Sequence, residues 1–508
     1  MTKSFNKIAI LLVVLLMCLT VVFAACSKAN FKPVAMPEKG EVSSNGGIAV
    51  VYGDWLYYVN GYTANVSADN TYSSDVVDAP RIGSVVRIKL AEIEKIFAIN
   101  DDDDLSSSEK TTKIASAVRG DVEGITGAET VIPKIYYSGN TSTTQFTGIF
   151  IFGDRIYVTT PNDQLTANGD PLTDQLVLMS FKLNGDDAKS HFTFTKSDAQ
   201  IWLTEKNGKV VATYLMDNKL YALDVASGKE TIVSMNNDPA SEVENTVSNV
   251  NWDETDGSVF FLDKFGSVCK VAVGEDKYEV IVENKDYELH EHDGTKHIEA
   301  GATTYAIKFV NGGIVYYTVS NSEKDTVTGG VVMYWAKSAT ESDKTALPSS
   351  SVSVHAWKAN KFITTDSYKT KDKTYYSICI VTVDDSEEEI KYSKKKILDY
   401  GENDSSITIT KLEGNLLYYT ADSISYVIDL EEVEDELLNN GTPYAKSLAA
   451  TTGWAAPDFV DVKTADGTLH YIISAGTDSV TLAKFNPDDT KSATVSIALT
   501  LTAKPVEE

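Results

Sequence analysis

From residue 46 onward, apolar and polar positions fall into one recurring figure: a short strand-like run, a tight polar turn, then an aromatic-rich run. The first copy covers 48–59 and ends in Leu56-Tyr57-Tyr58-Val59. The second covers 149–158, and further copies occupy 211–223, 250–262, 307–319, 354–364, 409–420 and 460–473. The turns carry Gly53-Asp54, Gly153-Asp154, Asp217-Asn218, Asp256-Gly257, Asn311-Gly312, Asn360, Gly414-Asn415 and Asp466-Gly467. These residue types tolerate positive φ, which tight hairpins require. A third strand-like run follows most copies, at 85–90, 176–183, 268–273, 331–335, 378–383, 426–430 and 480–485.

The second run of a copy is often apolar without a break, so both of its faces expect burial. Eight units between 47 and 501 average about 57 residues. Together these features predict an all-β chain folded as a β-propeller of about eight (seven to eight) four-stranded blades. Two stacked β-sandwiches are the alternative, because hairpins alone do not force radial closure. The first interval is about twice as long as the others and holds Asp101 to Asp104 and the polar stretch 106–112. It predicts a solvated insertion with a short helix at 90–99, or a degenerate blade. The segment 431–441 places apolar residues at helical spacing and ends in Asn-Gly, which predicts a short capped surface helix.

The N-terminus has a different pattern. Lys3 and Lys7 precede an apolar run from 8 to 25, and small residues lead into Cys26. A basic start, an apolar stretch and a small-residue exit are what a secretory signal needs. This divides the chain into a signal peptide (1–25), a tether (26–45), the propeller (46–501) and a disordered tail (502–508). An uncleaved membrane helix and simple secretion after Ala25 remain open beside cleavage and lipid attachment. The pattern alone predicts export across a membrane.

Composition narrows the partners. The formal net charge is −28 and arginine occurs only at positions 81, 87, 119 and 155. A phosphate backbone demands clustered cations, so nucleic acid is excluded, and an arginine-built phosphate or uronate clamp is disfavoured. The acidity suits solubility at an anionic cell surface. Beyond Cys26 only Cys269 and Cys379 remain, each within an apolar run, and both read as small buried residues rather than a disulfide framework.

The segment Phe23-Ala24-Ala25-Cys26 resembles the lipobox of bacterial lipoproteins, although Phe23 stands where leucine is usual. That resemblance implies a diacylglyceryl group on Cys26 and, as the expected location, the outer face of a bacterial plasma membrane. Leu56-Tyr57-Tyr58-Val59, Tyr316-Tyr317-Thr318 and the stretch 417–422 resemble the Tyr-Trp-Thr-Asp repeats of low-density-lipoprotein-receptor propellers. The whole pattern is similar to bacterial lipoprotein propellers of unassigned function. The single stretch 219–229 is similar to a quinoprotein-type repeat, but the expected tryptophan is missing and no cofactor is implied.

Candidate chemistry is sparse. His290, His292 and His297 hold half of the histidines, and in an extended segment the first two project to one side. They are weak candidates for a metal such as zinc, against the plainer expectation of a solvated loop. Asp101 to Asp104 lack the glycine and spacing of a calcium loop. Asp253 and Asp256 read as turn residues, and His355 and His470 as residues between blades. No nucleophile elbow, phosphate loop or P-loop occurs. The expectation is therefore a monomeric, membrane-tethered module that binds protein, peptide or glycan, without cofactor. The alternatives are an extracellular carbohydrate-active enzyme on the same scaffold and a cell-envelope assembly factor.

Overall fold

The computed structural model describes most of residues 32–503, leaving out 62–81, 134–147, 163–171, 336–353, 401–406, 432–445, 448–457, 486–493 and several shorter stretches. Cys26 and residues 432–441 of the expected helix at 431–441 lie outside the described residues. Among the described residues, eight sheets of three to five strands follow one another along the chain: 42–132, 150–194, 200–232, 234–282, 303–335, 354–400, 408–447 and 458–498. We number them sheets 1 to 8. A two-stranded ribbon, Tyr287–His292 with Thr295–Ala300, stands between sheets 4 and 5. Within each sheet the neighbours are nearly all successive antiparallel strands, as tight hairpins dictate.

Consecutive residues of the inner strands serve different neighbours. On Trp55–Val59, Leu56 and Tyr58 pack against sheet 8, whereas Tyr57 and Val59 pack against sheet 2. Phe261 turns toward sheet 3 and Phe260 toward sheet 5. A strand alternates its side chains between two faces, so a sheet covered on both faces needs apolar residues at every position. That is the physical reason for the unbroken runs. Full burial of such a side chain is worth about 1.5–3 kcal/mol.

The ring closes where sheet 8 meets sheet 1. Ala49, Val51, Leu56 and Tyr58 share one buried cluster with Val460, Tyr471, Leu482 and Ile497. Tyr58 Oη donates to the Leu499 carbonyl at 2.8 Å. Asn60 donates to the Leu501 carbonyl at 2.9 Å and accepts from the Leu501 amide at 2.8 Å. Among the described residues no strand is exchanged, since sheet 8 is built wholly from 458–498. Closure rules out separate sandwiches and gives a β-propeller.

Three differences from the sequence expectation stand out. The insertion in sheet 1 contains the helix expected at 90–99, α1 (Leu90–Asn100), but also a second, α2 (Ser107–Val118), and it is packed and not solvated. Ile93, Ile96, Phe97 and Ile114 are buried in the closing seam. Glu94 accepts from Tyr471 Oη and Lys484 Nζ, both at 2.6 Å. Ser106 and Glu109 form a reciprocal capping box that starts α2.

The second difference is in sheet 3, where the hairpin at 211–223 is the middle pair and the inner strand is Gln200–Lys206. Asn207 and Gly208 make an inner turn with the same positive-φ chemistry as Asp217 and Asn218. The third is at the chain ends. Residues 34–45, expected to belong to a flexible tether, are bound to the sheets, and Thr502 accepts from Arg119 at 3.4 Å.

Candidate functional site

Leaving aside the short strands Val42–Ser43 and Ser234–Met235, in each sheet the first strand runs to a tight turn and the second returns, so these turns share one face of the ring. The turns from third to fourth strand return to the same face. We call it the turn face. Turns from second to third strand and the links between sheets leave from the opposite, connection face.

The ribbon is rooted on the connection face, because it links the last strand of sheet 4 to the first of sheet 5. Phe265, in a connection-face turn of sheet 4, meets Tyr287 with ring centroids 4.8 Å apart. Lys264 Nζ, nearly buried, donates to Asp238 at 2.5 Å and to the carbonyls of Ala240 and Val243. Beneath it, the buried Asp263 carboxylate accepts from the amides of Phe265 and Ser267. Burial raises its pKa despite those donors. Asp286 accepts from the Thr303 amide at 2.7 Å, and Lys296 pairs with Glu242 at 2.7 Å.

The three candidate histidines sit on this ribbon. His290 is directly opposite His297, and His292 opposite Thr295. Alternation therefore puts Glu288, His290, His292, Thr295, His297 and Glu299 on one side, and Leu289, Glu291, Lys296 and Ile298 on the other. All three histidines are exposed. His290 Nε2 lies 3.2 Å from Glu288 and 3.0 Å from Glu299, so its ring is directed at carboxylates. Among the described residues no group of three or more His, Cys, Asp or Glu side chains could hold a metal ion. The geometry makes a polar, exposed display surface.

The sequence reading passed over His191. Its Nε2 lies 2.7 Å from Ser180 Oγ, the distance expected of a nucleophile and its base. A register shift in the pairing of their strands falls at this residue and aims the ring. Arg155 Nε, however, also donates to Ser180 Oγ at 2.9 Å, and Ser180 is fully buried. Burial, then the Arg155 charge, depresses the His191 pKa, while a hydrogen bond to Val225 backbone in sheet 3 opposes this. No substrate can reach that oxygen, so the group acts as a joint between sheets 2 and 3.

The remaining expectations fall into place. Cys269 and Cys379 are buried and not joined in a disulfide. Asp101 to Asp104 link the two helices, with Asp102 accepting from the Asp104 amide at 3.1 Å. Asp253 is fully buried, and its carboxylate accepts from the Gly313 amide of sheet 5 at 2.5 Å. The backbone at 470 lies in a strand of sheet 8, but its side chain is outside the described residues.

The axial side is partly occupied by the chain itself. Val42–Ser43 pairs with the inner strand Ala49–Tyr52 of sheet 1. Asn45, Gly46 and Gly47 bond to Ile149 and Ile151 at the inner edge of sheet 2. A Cβ on Gly148 would lie 1.9 Å from the Gly46 carbonyl oxygen, and both glycines have positive φ. Only glycine permits that approach.

No protein-family model and no curated protein matches the sequence. Among solved structures, the chain is similar to a puromycin-hydrolysing peptidase of Mycobacterium tuberculosis at 12% identity and a TM-score of 0.35. The match covers 70% of this chain and 53% of the peptidase, so the chain spans about half of that enzyme. The β-propeller domain of Nup133 from Vanderwaltozyma polyspora is similar at 10% identity and a TM-score of 0.30, covering 66% of this chain and 99% of that domain. An uncharacterized Listeria monocytogenes protein is similar at 9% identity and a TM-score of 0.34, covering 66% and 94%. The assignment of a propeller rests on the closed ring described above.

Proposed function

We propose that the protein is an extracytoplasmic lipoprotein, cleaved before Cys26 and anchored there by lipid. Its propeller serves as a binding or scaffolding module for a protein, peptide or glycan. One observation carries the binding reading: a polar ribbon with His and Glu side chains projects from the connection face, firmly rooted and widely exposed. Rigid scaffolds bearing exposed elements make good recognition surfaces. The anchor reading is supported by the basic start, the apolar run and the lipobox-like residues up to Cys26. Two acyl chains, at about 0.8 kcal/mol per buried CH₂, hold a domain stably. The Tyr-rich strand ends support kinship with cell-surface propellers.

The test is metabolic labelling of the full chain with an alkyne fatty acid, beside Cys26→Ala. Label and membrane association that both vanish in the variant support the anchor. A wild-type chain that takes up no label and stays in the soluble fraction overturns it. Binding is tested by screening surface peptides and glycans against wild-type protein and a variant with His290, His292 and His297 replaced by Ser. A ligand bound equally by both removes the ribbon from the site.

A further inference from the structure

We propose that the N-terminal segment is docked in a way that fixes how the domain faces the bilayer: turn face toward the membrane, ribbon and connection face away from it. This rests on the lipid-anchor reading and adds an orientation to it.

The docking is visible residue by residue. The Val34 amide donates to the Asn184 carbonyl at 3.2 Å, in a turn-face turn of sheet 2. Arg87, fully buried, donates from Nη2 to the Ala35 carbonyl at 2.7 Å. The same guanidinium pairs with Glu129 at 2.8 Å and lies 4.0 Å from the Trp55 ring centroid. Gly40 packs against Gly53, and the Gly53 amide donates to the Glu41 carbonyl at 2.9 Å, at the inner turn of sheet 1. The chain then reaches the axial edges at Val42–Ser43 and Asn45. It therefore runs inward across the turn face, from the outer strands of sheets 1 and 2 to the axis.

Docking shortens the leash. At about 3.5 Å per residue, the chain from Cys26 to the first strand of sheet 1 at Ala49 could reach about 80 Å if nothing held it. With Val34 held, the part from Cys26 to Val34 spans at most about 28 Å. Strands of five to seven residues, such as Trp55–Val59 and Gln200–Lys206, put the two faces roughly 17–24 Å apart before turns are added. Nearly all of the leash's length would be spent in passing the edge of the domain, so a leash leaving from the turn face favours that face toward the membrane. The ribbon is thereby directed at whatever lies beyond the membrane, and not at lipid.

The experiment uses the acylated full chain in phosphatidylcholine vesicles carrying a headgroup-linked energy acceptor. A dye is placed on Ala272→Cys, on the turn face of sheet 4, or on Thr295→Cys, at the ribbon tip on the opposite face; Cys269 and Cys379 are buried and stay unlabelled. Stronger transfer from position 272 than from 295 is expected. A flexible Gly-Ser insertion placed directly before Lys32 should shrink that difference without touching the docked residues. Equal or reversed transfer in the uninserted chain overturns the orientation. Hydrogen exchange of the same chain separates the premises: the Val34 amide should exchange at least about tenfold more slowly than in an unstructured peptide. Fast exchange at Val34 overturns the docking. Failure to float with vesicles while Val34 stays protected overturns the anchor reading, and the orientation with it.

Discussion

The closing seam and the seam between sheets 4 and 5 do the same job with different means. Sheets 4 and 5 are joined by the chain, and among the described residues Phe260, Val268, Ile307, Val315 and Tyr317 form the buried cluster between them. Asn249 reinforces it, accepting from the Ile307 amide at 2.5 Å and donating to its carbonyl at 3.2 Å. Sheets 8 and 1 have no such link and, among the described residues, exchange no strand. Their seam recruits two helices, the Tyr58 and Asn60 bonds and the Glu94 contacts. Where the covalent chain does not hold two sheets together, side chains must supply the closure that connectivity supplies elsewhere.

The contrast can be broken most strongly at Phe97. Phe97→Ala should lower the unfolding free energy by about 3–5 kcal/mol. Small-angle scattering should show an opened ring, whereas Phe260→Ala should destabilise without opening. A ring that stays closed in Phe97→Ala would remove the helices from the closure.

A second measurement leaves the closing seam untouched. Burial holds the His355 pKa down at about 4, below its unfolded value near 6.5. The neutral form is thus favoured in the folded state, and its stabilising contribution is complete above about pH 6.5. It is lost progressively as pH falls from about 6.5 to 4, by about 3 kcal/mol in all. Denaturant midpoints across that window should fall less steeply in His355→Gln, and an identical slope would contradict this.

Asparagine clamps sharpen the comparison further. Asn60→Ala and Asn249→Ala each leave backbone groups unpaired at a seam, costing about 1–3 kcal/mol. The loss should be greater at Asn60, which is fully buried. Equal losses in urea titrations would mean that the two seams depend on their clamps alike. The smallest effect is expected at the start of α2, where Ser106→Ala removes a cap worth about 1 kcal/mol. Thermal melts should show it as a shift of a few degrees at most.

Much of the fold was legible because hairpin chemistry and apolar runs are local signals. Seven of the eight expected hairpins are inner pairs, and only that at 211–223 was assigned one strand too far along. The error has a physical origin: Asn207-Gly208 and Asp217-Asn218 turn the chain equally well, and nothing local tells an inner hairpin from a middle one. The Ser106-to-Glu109 spacing is a helix-start signal that the polar composition of 106–112 masked, and burial of Ile114 depends on sheet 8 far along the chain. The asparagine clamps and the Ser180–His191 contact leave little local pattern, because their partners come from other strands. That His290 and His292 share a side was legible from their spacing, whereas His297 joins them only through the register of the ribbon. Their exposure was expected of a solvated loop, but the strand pairing that orders them was not, because the segment carries a mostly polar pattern.

A ring closed by side chains, without a shared strand, has no privileged beginning. Its sheets could be read from another starting point if Leu501 were joined to the chain near Ile48 and new ends were cut in an exposed link. Such a rearranged molecule would keep every seam, but would carry its membrane leash from a different sector. The place where the leash attaches is therefore a property of gene order, separable from the architecture it serves.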